Sequence, residues 1–96
     1  MKEIIGIPTL TIEAAAGETY KISYESSVAV DIYNDTGDSI IVNSTGKFSA
    51  VDGIGNYLKI PDGGSYNGLR SVTAIGNVIY IKSAAAGDIC IVEKRW

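Results

Sequence analysis

Apolar and polar residues alternate with period two along much of this chain. Leu10 and Ile12 fall on one side of a run, and Thr9 and Thr11 on the other. Tyr20, Ile22 and Tyr24 alternate with Lys21 and Ser23, and Val28, Val30 and Ile32 alternate with Ala29, Asp31 and Tyr33. Successive side chains of a strand point to opposite faces, so the pattern predicts antiparallel strands packed on one side. The runs Val78-Ile79-Tyr80-Ile81-Lys82 and Ile89-Cys90-Ile91-Val92-Glu93 are rich in β-branched and aromatic residues, which suit a pleated surface. Ile40, Ile41 and Val42 are continuously apolar, which fits a strand covered on both faces or at a contact. The predicted core is Leu10, Ile12, Tyr20, Ile22, Val28, Val30, Ile32, Ile79, Ile81, Ile89 and Ile91. No segment carries a stripe of period 3.6, so no helix beyond a single turn is expected.

The strands are joined by related turns. Ala14-Ala15-Ala16-Gly17-Glu18 near the N-terminus matches Ala84-Ala85-Ala86-Gly87-Asp88 near the C-terminus, and Asn34-Asp35-Thr36-Gly37-Asp38 is a looser third copy. Each ends in Gly followed by an acid, and Gly accepts positive φ without a Cβ penalty. The pattern reads as three antiparallel hairpins. Gly37 and Gly87 are expected at positive φ, or packed where a Cβ does not fit. The copies are too few for a solenoid, and three alanines closed by Gly are too short for a helix.

Residues 43–69 differ in character, being rich in Gly, Asn, Ser and Asp. Within them only Tyr57-Leu58-Lys59-Ile60 reads as a strand, and Pro61-Asp62-Gly63-Gly64 reads as a turn in which Pro presets φ. Long loops of this kind are often functional or ordered by a partner. Phe48, Ile54, Tyr57, Tyr66 and Leu69 are the expected self-association contacts, since the stretch has few large anchors of its own. Arg70 to Ile75 returns to strand, and Pro8 closes the short apolar segment Lys2 to Ile7. Together the elements predict an all-β fold: one antiparallel β-sandwich domain over residues 1–96, jelly-roll-like, of about eight short strands.

With 96 residues the chain makes one domain with one modest core. Its net charge of −3 argues against nucleic acid and anionic membrane as partners. No apolar run approaches the ~20 residues of a membrane span. The N-terminal residues lack a signal-peptide core, so export by that route is not expected. The single cysteine, Cys90, cannot form an internal disulfide and is expected to pack as a small apolar residue.

The chain has no histidine, which removes the usual general base, the commonest zinc ligand and every triad built on His. Asp31, Asp35, Asp38, Asp52 and Asp62 could supply a carboxylate pair, but turn and solvent roles suit them better. Asp31, Asn34, Asp35 and Asp38 offer oxygen ligands to calcium, without the spacing of an EF-hand loop. Gly53-Ile54-Gly55 lacks the further glycine and the helix of a dinucleotide site. No cofactor, metal or enzymatic activity is expected. Tyr24, Tyr33, Tyr57, Tyr66 and Tyr80 could stack on sugars if exposed together, and a carbohydrate-binding module is the alternative class.

The stretch Ile79 to Val92, with its Ala-Ala-Ala-Gly-Asp turn, resembles the C-terminal hairpin of small β-domains in tailed-phage virion proteins such as head fibres, capsid decoration proteins and fibre-attached modules. Residues 33–38 and 60–65 sit as similar turns do there. The resemblance implies a structural subunit, not an enzyme, that is made in the host cytoplasm and resides in the virion. Its implied partners are further copies of itself, as a trimer or pentamer, other capsid or tail proteins, and surface glycans if the alternative holds.

Overall fold

Among the described residues, successive strands lie in opposite sheets with one exception. The computed structural model describes residues 1–26, 29–43, 48, 58–63, 65–66 and 77–94, with the backbone alone of Leu58, Ser65, Tyr66 and Lys94. Among them are nine strands: β1 (Lys2–Ile5), β2 (Thr9–Ala14), β3 (Thr19–Ser23), β4 (Ala29–Asp35), β5 (Ile40–Asn43), β6 (Leu58–Ile60), β7 (Ser65–Tyr66), β8 (Val78–Ser83) and β9 (Gly87–Lys94). They form two sheets, one ordered β1-β3-β8-β5-β6 and the other β2-β9-β4-β7. There is no helix among the described residues.

The period-two pattern maps directly onto burial. In β2, Leu10, Ile12 and Ala14 are buried while Thr9, Thr11 and Glu13 are exposed. In β3, Tyr20 and Ile22 are buried between half-exposed neighbours. The inner faces meet as Leu10, Ile12, Ile89, Ile91, Val30 and Ile32 from one sheet against Tyr20, Ile22, Ile79, Ile81, Ile40 and Val42 from the other. Each predicted core residue that is described is buried, and Val28 lies outside the described residues. At roughly 1.5–3 kcal/mol per fully buried aliphatic side chain, this interior is the main source of stability.

The expected hairpins are instead arches, each crossing between the sheets. β2 pairs with β9, β3 with β8, and β4 with β9 and β7, so none of β2–β3, β4–β5 or β8–β9 is hydrogen-bonded to its sequence neighbour. Residues 78–93 are therefore an arch and not a hairpin. A hairpin and an arch need the same alternation, because both present one apolar side. They differ in which strand completes the ladder, and that partner is far away in sequence. Among the described strands, only β5 and β6 are consecutive and pair in one sheet.

The sheets are not wholly antiparallel. β1 pairs parallel with β3, Lys2 opposite Tyr20 and Ile5 opposite Ser23. The chain crosses the sandwich twice between these strands and reverses at each crossing, so it returns in its starting direction. β7 was not expected from the sequence; Ser65 and Tyr66 add it to the edge beyond β4. The strand expected at residues 70–75 lies outside the described residues.

Candidate interaction surface at the arch end

Three arches and the turn after β6 gather at one end of the sandwich. The two Ala-Ala-Ala-Gly arches lie side by side, because β2 pairs with β9 and β3 with β8. Gly17 N–H donates to the Ser83 carbonyl at 2.8 Å, and Ser83 N–H donates to the Glu18 carbonyl at 3.1 Å. Tyr20 Oη accepts from Ala15 N–H at 2.8 Å and fixes the first arch from inside. The repeat in the sequence is thus a repeat in space, with each copy supporting the other.

The third arch is pinned by Asn34, which is 2% exposed. Its position continues the inward phase of Val30 and Ile32. Nδ2 donates to the carbonyls of Asp38 at 2.7 Å and Ile60 at 2.9 Å. Oδ1 accepts from Thr36 N–H at 3.0 Å and lies 2.8 Å from Thr36 Oγ1. The Thr36 hydroxyl is also 2.8 Å from the Asp38 carbonyl, and its single proton serves one acceptor at a time. The turn after β6 closes on the same arch: Gly63 N–H donates to the Asn34 carbonyl at 2.8 Å, and Gly37 N–H to Asp62 Oδ1 at 2.9 Å.

These contacts decide the calcium expectation. The Asn34 amide is saturated by the chain itself, and Asp38 Oδ1 accepts from Ser39 N–H at 2.7 Å. Asn34 lies on the inward phase of β4, whereas Asp31 and Asp35 lie on the other. The four residues do not converge, and no group of three or more His, Cys, Asp or Glu able to hold a metal occurs among the described residues. Asp38 and Asp62 act as turn residues, and Asp52 lies outside the described residues.

The outer faces beside this end carry opposite charge. On the β1-containing sheet, Ile41 stands between Lys82 on β8 and Lys59 on β6, in one cross-strand row. Both lysines are exposed and Ile41 is half-buried. The row borders a groove of about 270 Å³, with Asp38, Ser39, Ser83 and Ala84 along its arch side. On the opposite sheet, Glu13 on β2, Asp88 on β9 and Asp35 on β4 stand in one row, all exposed. Thr11 and Tyr33 are exposed in the next outward row, with half-buried Cys90 between them. Cys90 therefore lies on the outer face and not in the core, because its neighbours Ile89 and Ile91 take the inward phase.

The tyrosines whose side chains are described do not form one platform. Tyr20 and Tyr24 are buried, Tyr33 is 43% exposed on one outer face, and Tyr80 is half-buried on the other. Tyr66 is placed on β7 opposite Ile32, and Tyr57 lies outside the described residues. Of the expected self-association contacts, Phe48 is half-buried within the single chain, while Ile54 and Leu69 lie, like Tyr57, outside the described residues. Sequence reading missed both charged rows, since their members are brought together only by strand register. At the far edge, Ile5 is 74% and Ile7 48% exposed along β1 and the segment after it. No protein-family model matches the chain, and no curated protein matches it.

Proposed function

We propose that the chain is a non-enzymatic structural subunit of a tailed-phage particle, of the capsid-decoration or head-fibre type, which self-associates as a trimer or pentamer and docks on other capsid or tail proteins. The observation that carries this reading is the strand order. Strands β2-β9-β4-β7 face β3-β8-β5-β6, and among the described strands each succession but β5 to β6 passes from one sheet to the other. That order is consistent with two Greek keys folded into a jelly roll, an architecture used by viral capsid domains and by lectins. The exposed apolar side chains of Ile5 and Ile7 beside edge strand β1 add support, since an open edge with apolar residues is a ready docking site. Phe48, Ile54, Tyr57, Tyr66 and Leu69 remain the contacts proposed from the glycine-rich stretch.

The distribution of tyrosines favours this reading over a carbohydrate-binding module. Tyr33 and Tyr80 lie on opposite faces and Tyr24 is in the core, so among the described side chains a sugar would meet a single exposed ring. The test is the solution mass by light scattering, joined to a glycan array. An oligomer without glycan affinity is the expected result. A monomer that binds glycans, and loses them on Tyr33→Ala, overturns the structural reading.

A further inference from the structure

The two charged rows have the same construction and lie at the same end of the sandwich. Lys59, Ile41 and Lys82 span three adjacent strands of one sheet. Asp35, Asp88 and Glu13 span three adjacent strands of the other. With strands about 4.8 Å apart, the outer members of each row stand about 9.5 Å apart at the backbone. The basic row therefore has the pitch of the acidic row. Each row is also poorly placed alone. Three carboxylates directly across neighbouring strands repel one another, and among the described residues no ion pair relieves them or either lysine.

From this match we infer that the acidic row of one copy seats in the Lys59–Ile41–Lys82 groove of another. Glu13 and Asp35 meet the two ammonium groups, and Asp88 lies over Ile41 at the centre. Exposed Tyr33 extends the contact from the row beside Asp35, and half-buried Tyr80 lies one row in from Ile41 on the receiving face. This interface joins two different faces of the same chain. In a bound pair one copy keeps its basic face free and the other its acidic face, so assembly does not stop at two: it closes into a ring or continues as a filament. The interface rests on the proposed self-association and supplies its chemistry.

Charge reversal tests it. Lys59→Glu with Lys82→Glu makes both faces acidic; Glu13→Lys with Asp35→Lys and Asp88→Lys makes both basic at the contact. All of these positions are exposed, so the fold is expected to survive, and circular dichroism and melting curves verify that. Each variant alone is expected to run as a monomer. An equimolar mixture is expected to associate again, because unlike faces now meet between variants; strict alternation gives even-numbered species, so the mass rises above the monomer without having to equal that of an odd wild-type ring. The wild-type mass should fall as salt is raised from about 0.05 to about 1 M, where screening acts within ~3 Å. A neutral pair, Lys59→Gln with Lys82→Gln, should weaken assembly without blocking it. If the wild type assembles but folded variants keep its mass, this interface is wrong while self-association stands. If the wild type is a monomer at high concentration and low salt, both fall.

Discussion

The side chain of Asn34 on β4 donates to the Ile60 carbonyl on β6 at 2.9 Å, and so ties the two sheets together across the sandwich. The same amide holds the Asp38 carbonyl and the Thr36 amide, so its donors and acceptor are all engaged by backbone. A buried polar group is costly when a partner is lost, at about 1–3 kcal/mol for each orphaned group. Asn34→Leu, similar in volume, takes the amide from the Ile60 carbonyl and the Thr36 N–H, while the Asp38 carbonyl keeps the Thr36 hydroxyl. It is expected to destabilise by about 2 kcal/mol or more. Asn34→Asp keeps the acceptor and loses the donors, and it sets a carboxylate against two carbonyls; it should be no better near neutral pH. Urea unfolding of the variants checks both, and wild-type midpoints would show that the arch does not depend on this amide.

Two turns that share the sequence Ala-Ala-Ala-Gly are expected to respond differently to the same substitution. At Gly17, with φ of 77°, an added Cβ meets nothing within 4 Å. Gly17→Ala then carries only the cost of the left-handed backbone, about 1 kcal/mol. At Gly87 the Cβ would stand 2.5 Å from Thr36 Cα and 2.9 Å from the Asp35 carbonyl oxygen. These are backbone atoms of the neighbouring arch and cannot swing aside. Gly87→Ala should cost at least about 1 kcal/mol more than Gly17→Ala, read as the difference between their melting temperatures. Equal losses would mean that the arches are not packed against each other as described.

The same contrast shows where sequence reading reaches its limit. Alternation located Ile22, Ile79, Ile81, Ile89 and Ile91 in the core, because burial depends on which side of a strand a residue occupies. It could not tell an arch from a hairpin, because β2 chooses β9 over β3 through contacts distant in sequence. Gly37 was expected at positive φ and has a φ of 92°. Gly87, at 159°, is nearly extended, and its constraint is the closeness of Thr36. Asn34 did carry a signal: it continues the inward phase of Val30 and Ile32, which marks a polar residue aimed at the core. The Lys59–Ile41–Lys82 row carried none, since nothing local links β6, β5 and β8.

Alkaline pH offers a separate probe of the interior. Burial, with the Glu93 carboxylate adding to it, pushes the Tyr24 hydroxyl up from 10.0 to about 12. Its Oη is buried and has no hydrogen-bond partner among the described residues. The unfolded chain releases this proton near its ordinary value, and the folded chain holds it. Stability from this group is therefore complete below about pH 10, falls between about pH 10 and 12, and changes no further above that. Tyr24→Phe removes this part of the decline. At neutral pH it should be neutral or slightly stabilising, since an unpartnered buried hydroxyl is lost. Guanidinium midpoints of wild type and Tyr24→Phe at about pH 9 and about pH 11 give the comparison. Parallel declines in the two proteins would refute the assignment to Tyr24.

Cys90 reports on the proposed interface without any change of charge. It is half-buried on the outer face, between Thr11 and Tyr33, one row from the acidic residues. A second copy seated on that face would cover the thiol. Alkylation by iodoacetamide should therefore slow as the wild-type concentration rises at low salt, and recover its dilute rate at high salt. In the Lys59→Glu, Lys82→Glu variant the rate should be independent of concentration, because that variant's own copies no longer dock. Binding through the β1 edge alone predicts otherwise: Ile5 and Ile7 belong to the other sheet's edge, so assembly there leaves Cys90 open at every concentration. A thiol that stays equally reactive while the mass rises would assign self-association to that edge and remove the acidic face from the contact.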